Sequence, residues 1–154
     1  MPETTLVHGT CVAVGDAGVL ILGPPGAGKS DLALRLIDEP GCGLTGEMRA
    51  ARLVSDDQVA VTRDGNDLIA SAPAAIAGLF EVRGLGIARV PAVARVRLAL
   101  AVRIAGATAI DRMPDFKESR FEVLGIGLPL VLIDAAKASA PARLRAALDW
   151  LRLS

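Results

Sequence analysis

The segment Gly23-Pro24-Pro25-Gly26-Ala27-Gly28-Lys29-Ser30 constrains this chain more than any other. It satisfies Gly-x-x-x-x-Gly-Lys-Ser, the Walker A pattern. Glycines let the backbone curl until successive N–H groups point inward at phosphate oxygens. A helix opening at Lys29 adds its positive end, and the Lys29 ammonium can reach the outer phosphates. The Ser30 hydroxyl is placed to ligate Mg²⁺. This chemistry requires a strand before the loop and a helix after it, and both are legible. Val19 to Leu22 is a short apolar run, and Leu32, Ala33, Leu36 and Ile37 share one helical face.

The run before the loop adds a second constraint. Leu6 to Val14 is apolar, and Gly15-Asp16-Ala17-Gly18 separates it from Val19 to Leu22. So short a turn makes the two runs antiparallel neighbours. The phosphate loop is therefore expected to leave an antiparallel hairpin, whereas ordinary P-loop NTPases enter it from a parallel sheet. Further strands are expected at Arg52 to Ser55, Gln58 to Thr62, Leu68 to Ser71, Ala94 to Ile104 and Val131 to Ile133. A helix is expected to close the chain, with Ser139 as its cap and Leu144, Ala147, Leu148 and Leu151 on one face. The whole, residues 1–154, reads as one α/β domain with more strand than helix.

Composition narrows the function classes. Hydrophobic residues make up 52% of the chain and charged residues 22%, so it can build a core and is not a disordered polyelectrolyte. Lys plus Arg number 17, as do Asp plus Glu, and a net charge of zero argues against nucleic-acid or membrane-surface capture. Three Phe, one Trp and no Tyr leave little for base stacking, and any adenine would rest on aliphatic side chains. One His and two Cys make a zinc cluster improbable, and Cys11 and Cys42 as free thiols fit a cytoplasmic protein. No apolar run reaches membrane-spanning length.

Four segments together resemble a known family. They are His8-Gly9, the loop Gly23 to Ser30, Leu53-Val54-Ser55-Asp56-Asp57, and Glu81-Val82-Arg83-Gly84-Leu85-Gly86-Ile87. Their order and spacing resemble the catalytic domain of bacterial HPr kinase/phosphorylase, and the acidic-x-Arg-Gly-Leu-Gly segment is the most specific part. The resemblance runs from about Leu6 to Ile87, weakens to Arg112 and fades beyond. It implies a serine kinase acting on HPr, the phosphocarrier of the phosphotransferase system, with ATP and Mg²⁺. It implies a P-loop fold of the phosphoenolpyruvate carboxykinase-like type, a mixed sheet with the hairpin before the loop, and a homo-oligomer, in the family a hexamer.

The resemblance also implies roles. Asp57 is the base that takes the proton of the target serine, His8 is its active-site companion, and Lys29 and Arg112 meet phosphoryl charge. Ser30 and Glu81 hold Mg²⁺. Arg83, Gly84 and Gly86 shape the loop that meets the partner protein. Asp56 is the alternative base to Asp57, or else a residue that orients the site or helps hold the cation. The stretch Gly127 to Lys137 carries one Pro, one Lys and no Arg. It departs from the basic, Pro-containing segment associated with the family's phosphorylase reaction, so the kinase reaction is the firmer expectation. Two other readings stay open. In one, Asp134 at the end of Val131-Leu132-Ile133 is a Walker B acid in a small-molecule kinase or NTPase. In the other, the chain binds nucleotide and a signalling protein without turnover.

Overall fold

The computed structural model describes residues 2–116 and 118–153. The long apolar run that opens the sequence is two strands, β1 (Thr4–His8) and β2 (Thr10–Val14). Gly9 divides them. A Cβ there would lie 2.7 Å from the carbonyl oxygen of Ile21 in β3 (Ala17–Leu22), so only glycine lets the chain pass this close. β2 forms the expected antiparallel hairpin with β3, from Thr10 opposite Ile21 to Val14 opposite Ala17. β1 turns away instead and pairs with β5 (Gln58–Asp64), His8 opposite Gln58. His8 is therefore not on the strand paired with the P-loop strand, as the unbroken apolar run predicts. Apolar patterning continues through Gly9, so hydrophobicity alone conceals the break.

β4 (Ala51–Ser55) flanks β2, and β6 (Asp67–Ser71) flanks β5. The long strand β9 (Arg95–Ile104) joins the two halves. It pairs antiparallel with β6 along its start and parallel with β3 further on. Its last residues also run parallel to β11 (Ile126–Ile133), which forms a hairpin with β10 (Arg120–Val123). The sheet order is β1-β5-β6-β9-β3-β2-β4, with β10 and β11 attached through β9. A separate hairpin comprises β7 (Leu79–Val82) and β8 (Gly86–Arg89).

The helices α1 (Lys29–Asp38) and α2 (Ala140–Leu153) cover one face of the sheet. Val12, Val14, Val19, Ile21, Leu100 and Val102 meet Leu32, Leu36, Leu144 and Leu148 there. The opposite face buries Cys11, Ala13, Leu20 and Leu22 against Val59, Val61, Leu68 and Leu98. Strands covered on both faces read as continuous apolar runs, as β2 and β3 do. In β9 the period of two does not give one apolar face. Val96 and Leu98 join the second core, whereas Leu100 and Val102 join the first. The reason is an irregularity: Gly18 pairs with Leu98 and Val19 with Leu100, leaving Ala99 as an extra residue. Arg95, Arg97 and Arg103 are solvent-exposed, as their alternation predicts.

β3, β9 and β11 are parallel, and their C-terminal ends coincide: Leu22 is opposite Arg103, and Ile133 is opposite Ile104. The C-terminal edge of parallel strands is where ligands of α/β sheets bind. The P-loop leaves from that edge.

Candidate nucleotide and phosphoryl-transfer site

α1 begins directly out of the loop. Gly28 sits at its N-terminus at φ 105°, and no side chain caps the first turn, so the leading N–H groups stay directed at the loop. Gly26 also lies in the left-handed region, at φ 82°. The Lys29 ammonium folds across the loop and donates to the carbonyls of Gly23 (2.7 Å) and Pro24 (3.0 Å). A lysine held this way lies across the loop, positioned to exchange those carbonyls for phosphate oxygens.

The turn between β4 and β5 consists of Asp56 and Asp57, closed by the Ser55 hydroxyl donating to the Gln58 carbonyl. The two carboxylates point to different environments. Asp56 is 7% exposed. Its Oδ1 accepts from the Ser30 hydroxyl at 2.7 Å and from the Thr10 hydroxyl at 3.0 Å, and its Oδ2 accepts from the Glu81 N–H at 3.1 Å. One carboxylate thereby joins the P-loop helix, β2 and β7. Asp57 has φ 68° and its side chain is 76% exposed. Its Oδ1 lies 3.7 Å from His8 Nδ1, and its carbonyl accepts from the Gly9 N–H at 3.0 Å. The break at Gly9 and the Asp56–Asp57 turn are thus stitched together. At each of them the chain crosses between the two halves of the sheet.

β7 runs beside α1 because Phe80 buries its ring in the helix-side core. That docking brings the Glu81 backbone to Asp56 and leaves the Glu81 side chain exposed. Arg83, Gly84 and Leu85 turn the chain toward Gly86 at the head of β8. Gly84 (φ 88°) and Gly86 (φ 126°) are in conformations that disfavour any side chain, and Leu85 is 88% exposed at the tip.

The oxygen-only donors Ser30, Asp56 and Glu81 suit Mg²⁺, a hard cation. Among the described residues no group of three or more His, Cys, Asp or Glu could hold a metal alone. The Ser30 hydroxyl gives its proton to Asp56, so its lone pairs are free for a cation.

The model of the HPr serine kinase C-terminal domain matches residues 1–144. The chain belongs to that family. The match extends past Arg112, where the motif resemblance fades, because the later segments are core strands and α2 rather than signature loops. The chain is 46% identical over 91 residues to HPr kinase/phosphorylase of Bacillus licheniformis, covering 58% of this chain and 26% of that protein. It is 38% identical over 126 residues to HPr kinase/phosphorylase of Clostridium tetani, covering 81% of this chain and 37% of that protein. The chain therefore spans about a quarter to somewhat over a third of the length of these curated relatives. The solved structure of the HPr(Ser) kinase/phosphatase from Coxiella burnetii superimposes with a TM-score of 0.75 at 27% identity, covering 97% of both chains. The mixed sheet with its two helices thus matches the fold of the HPr kinase C-terminal domain.

Not every residue singled out in the sequence joins the site. Arg112 lies exposed in the irregular segment between β9 and β10. Among the described residues, no hydrogen bond or ion pair links it to the P-loop or the Asp pair. Asp134 follows β11 and accepts from the Ala136 N–H at 3.0 Å, closing a local turn. Ser30 is bonded to Asp56, not to Asp134. Arg35 donates to the carbonyls of Ala135 (2.6 Å) and Lys137 (3.2 Å) and holds that turn against α1. Ala135 then lines the P-loop at Gly28, where an added Cβ would meet its methyl at 3.5 Å. Gly127 to Ile133 belongs to β11, whose Leu128, Leu130 and Ile133 are core residues. Cys11 is fully buried, and burial pushes its thiol pKa far up, which removes it as a nucleophile. Thr10 and Arg35 were not legible as site residues, since a β-branched strand residue and a helix-face arginine carry no motif. No helix among the described residues is long and apolar enough to cross a membrane.

Proposed function

We propose that the chain is an ATP- and Mg²⁺-dependent serine kinase whose protein substrate is HPr, the phosphocarrier named in its relatives. The carrying observation is the pair of adjacent aspartates with opposite environments. Asp56 is buried and bonded to the P-loop serine, and Asp57 is open to solvent beside His8. The inner carboxylate belongs to the nucleotide side and the outer one faces an incoming macromolecule.

In this reading the loop N–H groups and Lys29 hold the ATP phosphates, and Ser30 and Glu81 hold Mg²⁺, with Asp56 fixing Ser30. When bound, the cation neutralises charge on the terminal phosphates. The serine hydroxyl of HPr approaches from the solvent side. Asp57 accepts its proton, and His8 borders that carboxylate, its Nδ1 3.7 Å from Asp57 Oδ1. The oxygen attacks the γ-phosphorus in line, and the bond to the β-phosphate oxygen breaks to release ADP. Arg112 reaches the transferring phosphoryl group only if its segment folds inward once both substrates are bound. Arg83 and the hairpin tip at Leu85 contact the partner protein. The family likeness extends the reading to a cytoplasmic homo-oligomer, as a hexamer. The reading commits to the kinase direction, because Gly127 to Lys137 carries one Lys and no Arg where the family's phosphorylase reaction is associated with a basic stretch.

The test is transfer of labelled phosphate from ATP to HPr by the wild type and by Asp57→Asn. The proposal requires transfer by the wild type and nucleotide binding without transfer by the variant. ATP-dependent capture of HPr with no phosphate transferred would instead establish the sensor reading. An Asp134→Asn loss with Glu81→Gln unaffected would establish the small-molecule kinase reading.

A further inference from the structure

The reaction described above uses Ser30 and Asp57 but leaves one buried hydroxyl unexplained. Thr10 is 0% exposed at the start of β2, among apolar neighbours. A valine has nearly the same shape and would pack there without burying a hydroxyl, so the oxygen is costly unless its bond has a use. Its bond is to Asp56 Oδ1, at 3.0 Å, the same oxygen that accepts from Ser30.

We propose that Thr10 is a positioning residue that fixes the Asp56 carboxylate and, through it, the direction of the Ser30 hydroxyl toward the cation. The proposal rests on the phosphoryl-transfer reading of this site. Of the three donors to Asp56, Thr10 has the most rigid mount. It lies opposite Ile21 of β3, and the next residue, Cys11, pairs with both β3 and β4. Ser30 sits in the first turn of α1, and the Glu81 N–H belongs to a two-stranded hairpin outside the main sheet. With Thr10 and Glu81 holding one oxygen each, the plane of the carboxylate is set. Ser30 has a single proton. While that proton is committed to Asp56, both Ser30 lone pairs face the loop. Without Thr10 the carboxylate can rotate, and the Ser30 proton is free to turn outward and compete with the metal. The phosphate cradle itself, made of backbone N–H groups and Lys29, is untouched.

The consequence is specific to the metal. Thr10→Val is expected to raise the Mg²⁺ concentration at half-saturation of nucleotide binding by about tenfold, the weight of one hydrogen bond to a charged group. Nucleotide binding in EDTA is expected to stay unchanged. Thr10→Ser keeps the hydroxyl and is expected to remain within about twofold of wild type. In an Asp56→Asn background, Thr10→Val should add nothing further to the Mg²⁺ requirement. Binding is read with a fluorescent ATP analogue titrated with Mg²⁺, and folding with the thermal midpoint. An unchanged Mg²⁺ requirement in Thr10→Val, or an equal loss of binding with and without metal, overturns the proposal. If Thr10→Val does not fold, Thr10→Cys, with its weak donor, is read the same way. A wild type whose nucleotide binding ignores Mg²⁺ would overturn the underlying reading of the site, a result distinct from the failure of Thr10 alone.

Discussion

Asp149→Ala removes a buried carboxylate of α2 that pairs with Arg49, and its cost can be worked from the structure. Asp149 is 0% exposed and Arg49 is 9% exposed, with Arg49 Nη2 2.9 Å from Asp149 Oδ1. Asp149 Oδ2 accepts from the Leu44 N–H at 2.7 Å. The variant strands the Arg49 guanidinium, whose Nε already has no partner, together with the Leu44 amide. Breaking a buried pair by removing one partner costs about 3–5 kcal/mol. The Arg49–Asp149 contact is an ion pair without hydrogen-bond alignment, which places the expectation at the lower end, about 3 kcal/mol. For a domain of this size that lowers the thermal midpoint by about 6–12 °C. Urea unfolding followed by circular dichroism measures it. Replacing the pair together, as Arg49→Met with Asp149→Leu, should recover most of the loss, because neither charge is then buried alone. A single variant within about 0.5 kcal/mol of wild type would refute the reasoning, since surface substitutions behave that way.

Other expectations are equally direct. Gly9→Ala should destabilise by about 1–3 kcal/mol, the usual cost of forced overpacking, because its Cβ meets a backbone carbonyl that cannot move aside. Chemical denaturation reads this, and near-neutrality would contradict the close approach of β1–β2 to β3. Asp57→Asn should lower the rate of transfer by about 10²–10⁴ while leaving the affinity for ATP within twofold, about the precision of such titrations. The Cys11 thiol is held above its ordinary pKa by burial, so the folded state resists its ionisation. Its contribution to stability is complete below the ordinary thiol range and declines as pH rises above it, where only the unfolded chain ionises. Comparing urea midpoints at about pH 8 and about pH 10 for wild type and Cys11→Ala should show this slope shrinking in the variant. A thiol reagent should modify half-buried Cys42 quickly and Cys11 only on unfolding.

The parts legible in the sequence are those encoded locally. The P-loop, the start of α1 and the hairpin before it follow from glycine spacing, helical periodicity and a four-residue turn. The Glu81 to Ile87 segment was legible through the family resemblance, but its being the tip of the β7–β8 hairpin was not. What was hidden depends on partners distant in sequence. Gly9 looks like a strand residue until Ile21 is seen behind it. The division of β9 between two cores comes from one extra residue opposite Gly18 and Val19, which no alternation pattern reveals. Asp56 and Asp57 are neighbours of one residue type, and the turn that sends one inward and the other outward is a product of β4 and β5 pairing with different strands. Asp56 accordingly emerges as the residue that binds the P-loop, β2 and β7 together, a larger part than its sequence context indicates.

The central claim is that this nucleotide site serves a protein serine. Its most direct measurement is mass spectrometric mapping of HPr after incubation with this protein, ATP and Mg²⁺. A single phosphate on a serine of HPr, dependent on Asp57, is expected. Consumption of ATP with HPr left unmodified, or a phosphate found on histidine, would contradict it.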